Sequence, residues 1–356
     1  MSAEELINLG NGYDLASELK STYYQFISYI LNKNVTNFQE QEDLIQKLLS
    51  NETAVYKTVS KEDIKLNIWY MIFIYSKINQ DSSWCDVERQ IYNIVIKNNN
   101  QFLPRLFQKL YGKSQLENSK QVLLEELNKL ESDFEDFILN HNHMDNNILY
   151  FRQANSLLEK IVGSNDKKFN IMTFNYTSPW WDRWKVGALA NIKFISPEKF
   201  IMVHGESLER WGGNHIIFGI DSQNISPMGE EYQFTKTFRT LTMYSDKSKP
   251  TDVVNQNVFD ESIKVIKFFG HSLGEADYSY FQQMFDFYNL YENNEIKLYF
   301  YYRRYGNKTN QEMLQEQVIL VSRLIEKYGE TLDNKNHGKN LLTRLQQTQR
   351  IFIQEI

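Results

Sequence analysis

Short apolar runs recur along the second half of the chain, and most end in glycine or a small polar residue. They are Phe169–Phe174, Phe200–Val203, Ile216–Phe218, Val265–Phe269, Ile296–Tyr302 and Arg350–Ile353. An apolar stub at 5–10 shares the pattern and runs into Gly10-Asn11-Gly12. Runs of this length without polar alternation suit strands buried on both faces, as in a parallel sheet. Helix-like segments at about 275–290 and 310–328 lie between several of them. Strands alternating with helices predict a layered α/β fold.

The stretch between these strands behaves differently. From about 35 to 165 the periodicity is helical. Leu123, Leu127, Leu130, Phe134 and Phe137 recur at steps of four and three, which makes one apolar stripe on a helix. The reading is therefore an α/β domain at 1–34 plus 166–356, split by an all-helical insertion at 35–165. A strand at 5–10, a glycine turn and a helix at about 14–32 precede the insertion. With 42% hydrophobic residues, 23 Phe and 22 Tyr, a chain of 356 residues buries a sizeable core.

Composition narrows the chemistry. The net charge of −6 argues against nucleic acid as the main partner. Cys85 is the only cysteine, so neither an internal disulfide nor a cysteine-based zinc site is expected. The apolar run at 69–75 is too short to span a bilayer, and the N-terminus carries no signal-peptide pattern. The expectation is a soluble, cytoplasmic protein without a membrane partner.

In open parallel sheets, ligands bind beyond the carboxyl ends of the strands. The residues there are Gly10-Asn11-Gly12-Tyr13-Asp14, Thr173-Phe174-Asn175, His204-Gly205, Gly219-Ile220-Asp221 and Gly270-His271-Ser272-Leu273-Gly274-Glu275-Ala276-Asp277. Each has a bland reading. Gly10 and Gly12 serve a tight turn or let backbone amides approach a pyrophosphate. Leu15 occupies the third position of G-x-G-x-x-G, so the ordinary dinucleotide fingerprint fails. Asn175 is a turn or cap residue, or an amide that orients a water or a ribose hydroxyl. His204 is a core histidine or a general base. The 270–277 loop is a helix cap, or its amides and the Ser272 hydroxyl bind ribose or phosphate.

Competing chemistries are weaker. His204, His215, His271 and Asp277 lack close metal-ligand spacing, and no metal is expected. Gly270-His271-Ser272-Leu273-Gly274 spells a nucleophile elbow, but no Asp-then-His order follows it. Trp180, Trp181 and Trp184 read as packing, His141-Asn142-His143 as a loop, and Trp84, Asp86 and Glu88 as a cluster in the helical zone.

Taken in order, Gly10–Leu15, Thr173–Thr177, His204-Gly205, Phe218–Asp221 and Phe269–Asp277 resemble the bacteriophage abortive-infection family of AbiH type. The resemblance implies an anti-phage protein that acts at the infected cell's expense, and with it a phage component as trigger. More remotely, the same order is similar to sirtuin-like NAD-consuming domains of Rossmann-like fold. That likeness implies NAD as substrate, Asn175 and His204 as catalytic residues, and a phosphate loop at Gly10 and Gly12. It also implies ribose contacts at Gly270 and Ser272. Asp14, Thr173, Gly205, Gly219, Asp221, His271, Gly274 and Asp277 complete the expected nucleotide site. Thr177 stands where sirtuins carry an aspartate, and their four-cysteine zinc module is missing. A nucleotide-binding sensor and a metal-dependent nuclease are the competing functions. A homo-oligomer is compatible with the sequence.

Overall fold

The computed structural model describes residues 2–34, 38–49, 63, 66–83, 85–98, 102–111, 119–141, 147–163, 166–182, 193–207, 216–245, 256–333 and 340–356. The chain divides into two compact units. The first comprises Met1–Lys20, Asn142–Ser207 and Lys247–Ile356, and the second Ser21–His141 and Leu208–Asp246. The strands are β1 Glu5–Leu9, β2 Phe169–Thr173, β3 Phe200–Met202, β4 Val265–Phe269, β5 Lys297–Tyr302 and β6 Ile351–Glu355. The helices begin with α1 Gly12–Ala16, α2 Tyr23–Asn34, α3 Phe38–Leu49, α4 Ile68–Ile78 and α5 Val87–Val95. They continue with α6 Phe102–Tyr111, α7 Ser119–Asp136, α8 Ile148–Val162 and α9 Pro179–Asp182. The last are α10 Lys236–Ser245, α11 Tyr278–Phe287, α12 Asn310–Thr331 and α13 Leu341–Gln347.

All six strands pair in parallel, in the order β3-β2-β1-β4-β5-β6. This is an α/β fold of Rossmann-like order. The chain moves outward from β1 to β2 and β3, then returns to the other side of β1 for β4, β5 and β6. The reversal leaves a topological switch point between the carboxyl ends of β1 and β4. Every residue of β1 and β2 is buried, as the unbroken apolar runs require.

Burying charge in such a sheet needs partners. Lys267 in β4 donates to Glu5 Oε2 at 2.7 Å and to the Ile161 and Val162 carbonyls at 2.9 Å each. All three ammonium donors are thus spent. A cation here also faces the negative end of α8, whose turn closes at Gly163 with φ +79°. On the other face of the sheet, Leu298 and Phe300 of β5 join Phe281 and Phe285 of α11 and Leu324, Ile325 and Tyr328 of α12 in one core.

The second unit is helical around Phe26, Tyr70, Phe134 and Phe137, whose rings meet edge-on or tilted. Buried Glu131 accepts from Arg239 at 2.5 Å and from the Phe218 N–H at 2.6 Å.

Two expectations need correction. The run Ile216–Phe218 forms no strand of the sheet. It lies in the second unit, where the Phe218 ring packs edge-on against Tyr23 and Phe134 at 5.5 and 5.3 Å. Its hydrophobicity answers to helix packing. The helix expected at 14–32 is two helices. Ser17 Oγ and Leu19 N–H bond back to the carbonyls of Tyr13 and Asp14, and Glu18 takes a left-handed φ of 69°, which ends α1. Thr22 and Gln25 then exchange hydrogen bonds as a capping box that starts α2. The compact units also group segments across the bounds 35 and 165. Helix α8 belongs with the sheet, to which Lys267 ties it, and 208–246 belongs with the helices.

Candidate functional site

At the switch point two backbones lie in direct contact. Gly10 N–H donates to the Phe269 carbonyl at 3.0 Å, and Gly12 N–H donates to the Gly270 carbonyl at 2.8 Å. A Cβ on Gly10 would sit 2.5 Å from His271 Cα, and one on Gly12 would sit 2.6 Å from Gly270 Cα. Real Cβ atoms do not tolerate such approaches. Both glycines are therefore required by the closeness of the β4 loop. The Gly12 amide, expected to face a phosphate, is engaged with Gly270 in this structure.

The loop after β4 is strained. Gly270 has φ +73°, which glycine adopts freely. Leu273 has φ 53°, a sparsely populated conformation for a branched side chain. It is held there by its N–H, which donates to His271 Nδ1 at 2.8 Å. That bond assigns the tautomer. His271 Nδ1 accepts, so Nε2 carries the proton and donates to Asp277 Oδ2 at 3.1 Å. The other carboxylate oxygen of Asp277 lies 2.9 Å from His204 Nε2. One aspartate thus joins histidines from the ends of β3 and β4. Phe174, at the end of β2, packs edge-on against both rings, at 5.6 Å from His204 and 4.4 Å from His271. A buried imidazole oriented by a carboxylate is the arrangement a general base needs.

Asn175 follows Phe174 and is 2% exposed. Its N–H donates to Thr173 Oγ1 at 3.1 Å, so the Thr173 hydroxyl shapes the turn. Neither atom of the Asn175 side-chain amide has a hydrogen-bond partner among the described residues. The Ser207 hydroxyl is likewise buried and unpartnered among them, and its N–H donates to the Tyr176 carbonyl at 2.9 Å. Leaving a buried polar group unsatisfied costs roughly 1–3 kcal/mol, so such a group calls for a partner. Between these two residues in sequence, Ser178 donates to buried Glu206.

Asp14 lies in the first turn of α1, also 2% exposed. It accepts from Tyr150 of α8 at 2.9 Å and from Thr177 at 2.7 Å. Burial pushes its pKa up to about 7, although both hydroxyl bonds pull it down. Beside it, the Tyr13 hydroxyl donates to the Ala154 carbonyl of α8 at 2.7 Å.

The first unit therefore brings together the segments carrying Gly10, Asn11, Gly12, Asp14, Thr173, Asn175, His204, Gly205, Gly270, His271, Ser272, Gly274 and Asp277. Gly205 makes the turn after β3 with φ +84°, and Ser272 is exposed. Gly219 and Asp221 belong to the second unit. Gly219 packs against the backbone of Phe234 and Lys236, and Asp221 accepts from the Gln223 N–H at 2.7 Å. His215 and Trp184 lie outside the described residues, as do Trp84, Asn142 and His143. Among the described residues, no group of three or more His, Cys, Asp or Glu is disposed to hold a metal ion. Asp86 caps α5, and Glu88 pairs with Lys236 at 2.8 Å. Trp180 and Trp181 pack against Phe200. No described helix is long and apolar enough to cross a membrane.

Sequence reasoning missed Tyr150, Ser207 and Glu206. Tyr150 lies in the helical stretch with no local signal of its own. Ser207 and Glu206 follow His204-Gly205 directly, and only that adjacency pointed to them.

A protein-family model described as bacteriophage abortive infection AbiH matches residues 6–302. No curated protein and no solved structure matches the chain.

Proposed function

The chain belongs to the bacteriophage abortive infection AbiH family, and from that premise we propose that it is a nucleotide-consuming effector which hydrolyses NAD at the nicotinamide–ribose bond. The family supports the abortive-infection role. The unpartnered amide of Asn175 carries the chemical reading. It offers a donor and an acceptor in a buried place, at strand ends where such sheets bind dinucleotides.

In the proposed reaction, water attacks the ribose C1′ while the bond to nicotinamide breaks. The bonding electron pair leaves with nicotinamide, through an oxocarbenium-like transition state. Asn175 orients the water or the ribose. His204, held by Asp277, accepts the water proton. The products are nicotinamide and ADP-ribose. Gly10, Asn11 and Gly12 hold the pyrophosphate once Gly270 releases the Gly12 amide. NAD is the substrate, and no step calls for a metal ion. A phage component as trigger completes the proposal, and a homo-oligomer is compatible with it.

The test is nicotinamide release by the pure protein, beside His204→Ala and Asn175→Ala. Release that both folded variants lack supports the mechanism. A variant that turns over NAD as well as the wild type overturns it. A second reading is a nucleotide-binding sensor, in which the ligand displaces the Gly270 carbonyl from the Gly12 amide and no bond is broken. NAD binding without nicotinamide release selects that reading.

A further inference from the structure

Three side chains close a triangle of hydrogen bonds inside the first unit. Tyr150 Oη lies 2.9 Å from Asp14 Oδ1, Thr177 Oγ1 lies 2.7 Å from Asp14 Oδ2, and Tyr150 Oη lies 3.0 Å from Thr177 Oγ1. Each of these contacts is at hydrogen-bond distance, and each needs one hydrogen. Tyr150 and Thr177 carry one apiece. If Asp14 is ionised, both hydrogens go to the carboxylate. The Tyr150–Thr177 contact then sets lone pairs against each other at 3.0 Å. If Asp14 keeps its proton, every member donates once and accepts once.

We propose that Asp14 folds as the neutral carboxylic acid, and that its proton closes a three-membered ring which fixes the Asn175 segment to α1 and α8. Asp14 is thus a positioning residue. Thr177 stands two residues after Asn175, so the ring sets where the Asn175 amide lies. Naming Asn175 as the group positioned rests on the proposed function; the protonation of Asp14 does not.

The surroundings agree. The groups facing the Asp14 carboxyl are Tyr150 from α8, Thr177 from the segment after β2, and Tyr13 from its own helix. Charged neighbours in sequence on these elements, Glu18, Lys20 and Arg152, are exposed. Glu206, beyond Thr177, is bonded by Ser178. Burial holds the proton on Asp14 up to about pH 7. Above that, one hydrogen leaves the ring, and the Tyr150–Thr177 contact becomes repulsive. The site then loosens on the alkaline side.

The test is infrared titration of the full chain. The carbonyl stretch of a protonated carboxyl group is followed through about pH 7, beside Asp14→Asn. Asparagine copies the neutral acid, since it both donates and accepts. We expect a protonated-carboxyl band below the transition that disappears above it and is missing from the variant at every pH. Melting temperature should fall as pH rises from 3.8 to about 7 and level off above it, more in the wild type than in Asp14→Asn. If Asp14→Asn does not fold, Tyr150→Phe serves, and the band should then persist to higher pH, because a bond that favours ionisation is gone. The proposal is overturned if no such band belongs to Asp14, or if Asp14→Asn keeps the full pH dependence. Both readouts need no substrate, so an absence of NAD turnover leaves this test standing on its own.

Discussion

Asn175→Leu should make the protein more stable and inactive at once. Leucine has the same heavy-atom branching as asparagine but no polar atoms. In the free protein the Asn175 amide is buried with both polar atoms unpartnered among the described residues. That burial costs on the order of 1–3 kcal/mol. Leucine removes the cost, and overpacking by its tetrahedral branch gives back part of the gain. A net stabilisation of ~1–2 kcal/mol is expected, or roughly 2–8 °C in melting temperature for a unit of this size. The assay is thermal and urea unfolding without nucleotide, with NAD binding by calorimetry on the same samples. Higher stability together with lost binding is the signature of an amide kept for a ligand. A loss of more than about 1 kcal/mol without nucleotide would mean that the amide is already satisfied. The central observation of the proposed function would then fail.

Lys267→Met should cost about 3 kcal/mol, the low end for breaking a buried pair, because buried Glu5 loses one of its two lysines and keeps the part-exposed Lys167 at 2.6 Å. Denaturant unfolding should show the double variant Glu5→Leu/Lys267→Met recovering much of this, since no charge is then stranded. Gly10→Ala must force the β4 loop away, as its Cβ would lie 2.5 Å from His271 Cα. It should destabilise the protein by more than the ~1 kcal/mol typical of a point substitution, measured by thermal melting. The Asp14 ring adds a pH term. A carboxyl raised in the folded state stabilises fully below its unfolded pKa and loses that contribution as pH rises through the folded value. The raise from 3.8 to about 7 corresponds to roughly 4 kcal/mol between these limits.

Much of the fold is legible in local pattern. The runs at 5–10, 169–174, 200–203, 265–269, 296–302 and 350–353 all became strands; β1 to β4 are buried almost throughout, as unbroken apolar runs require, whereas β5 and the edge strand β6 are only partly covered. Ile216–Phe218 misled for the same reason. A three-residue apolar run carries no period, so strand and packed loop look alike. The break in the helix after Ala16 was hidden, because it depends on Glu18 accepting a left-handed φ, which side-chain type does not announce.

The chain by itself thus determined which segments become strands, and that glycines and polar residues gather at their carboxyl ends. The strand order, and with it the partners of each polar group, was decided by tertiary structure. Asp277 reaches His204 across 73 positions and Thr177 reaches Asp14 across 163. Those meetings follow from β4 inserting beside β1 while β2 and β3 lie on its other side. Hydrophobic period records only whether a residue is inside. Which buried groups face one another, and so which share a proton or stay unpaired, depends on how the strands are ordered in space.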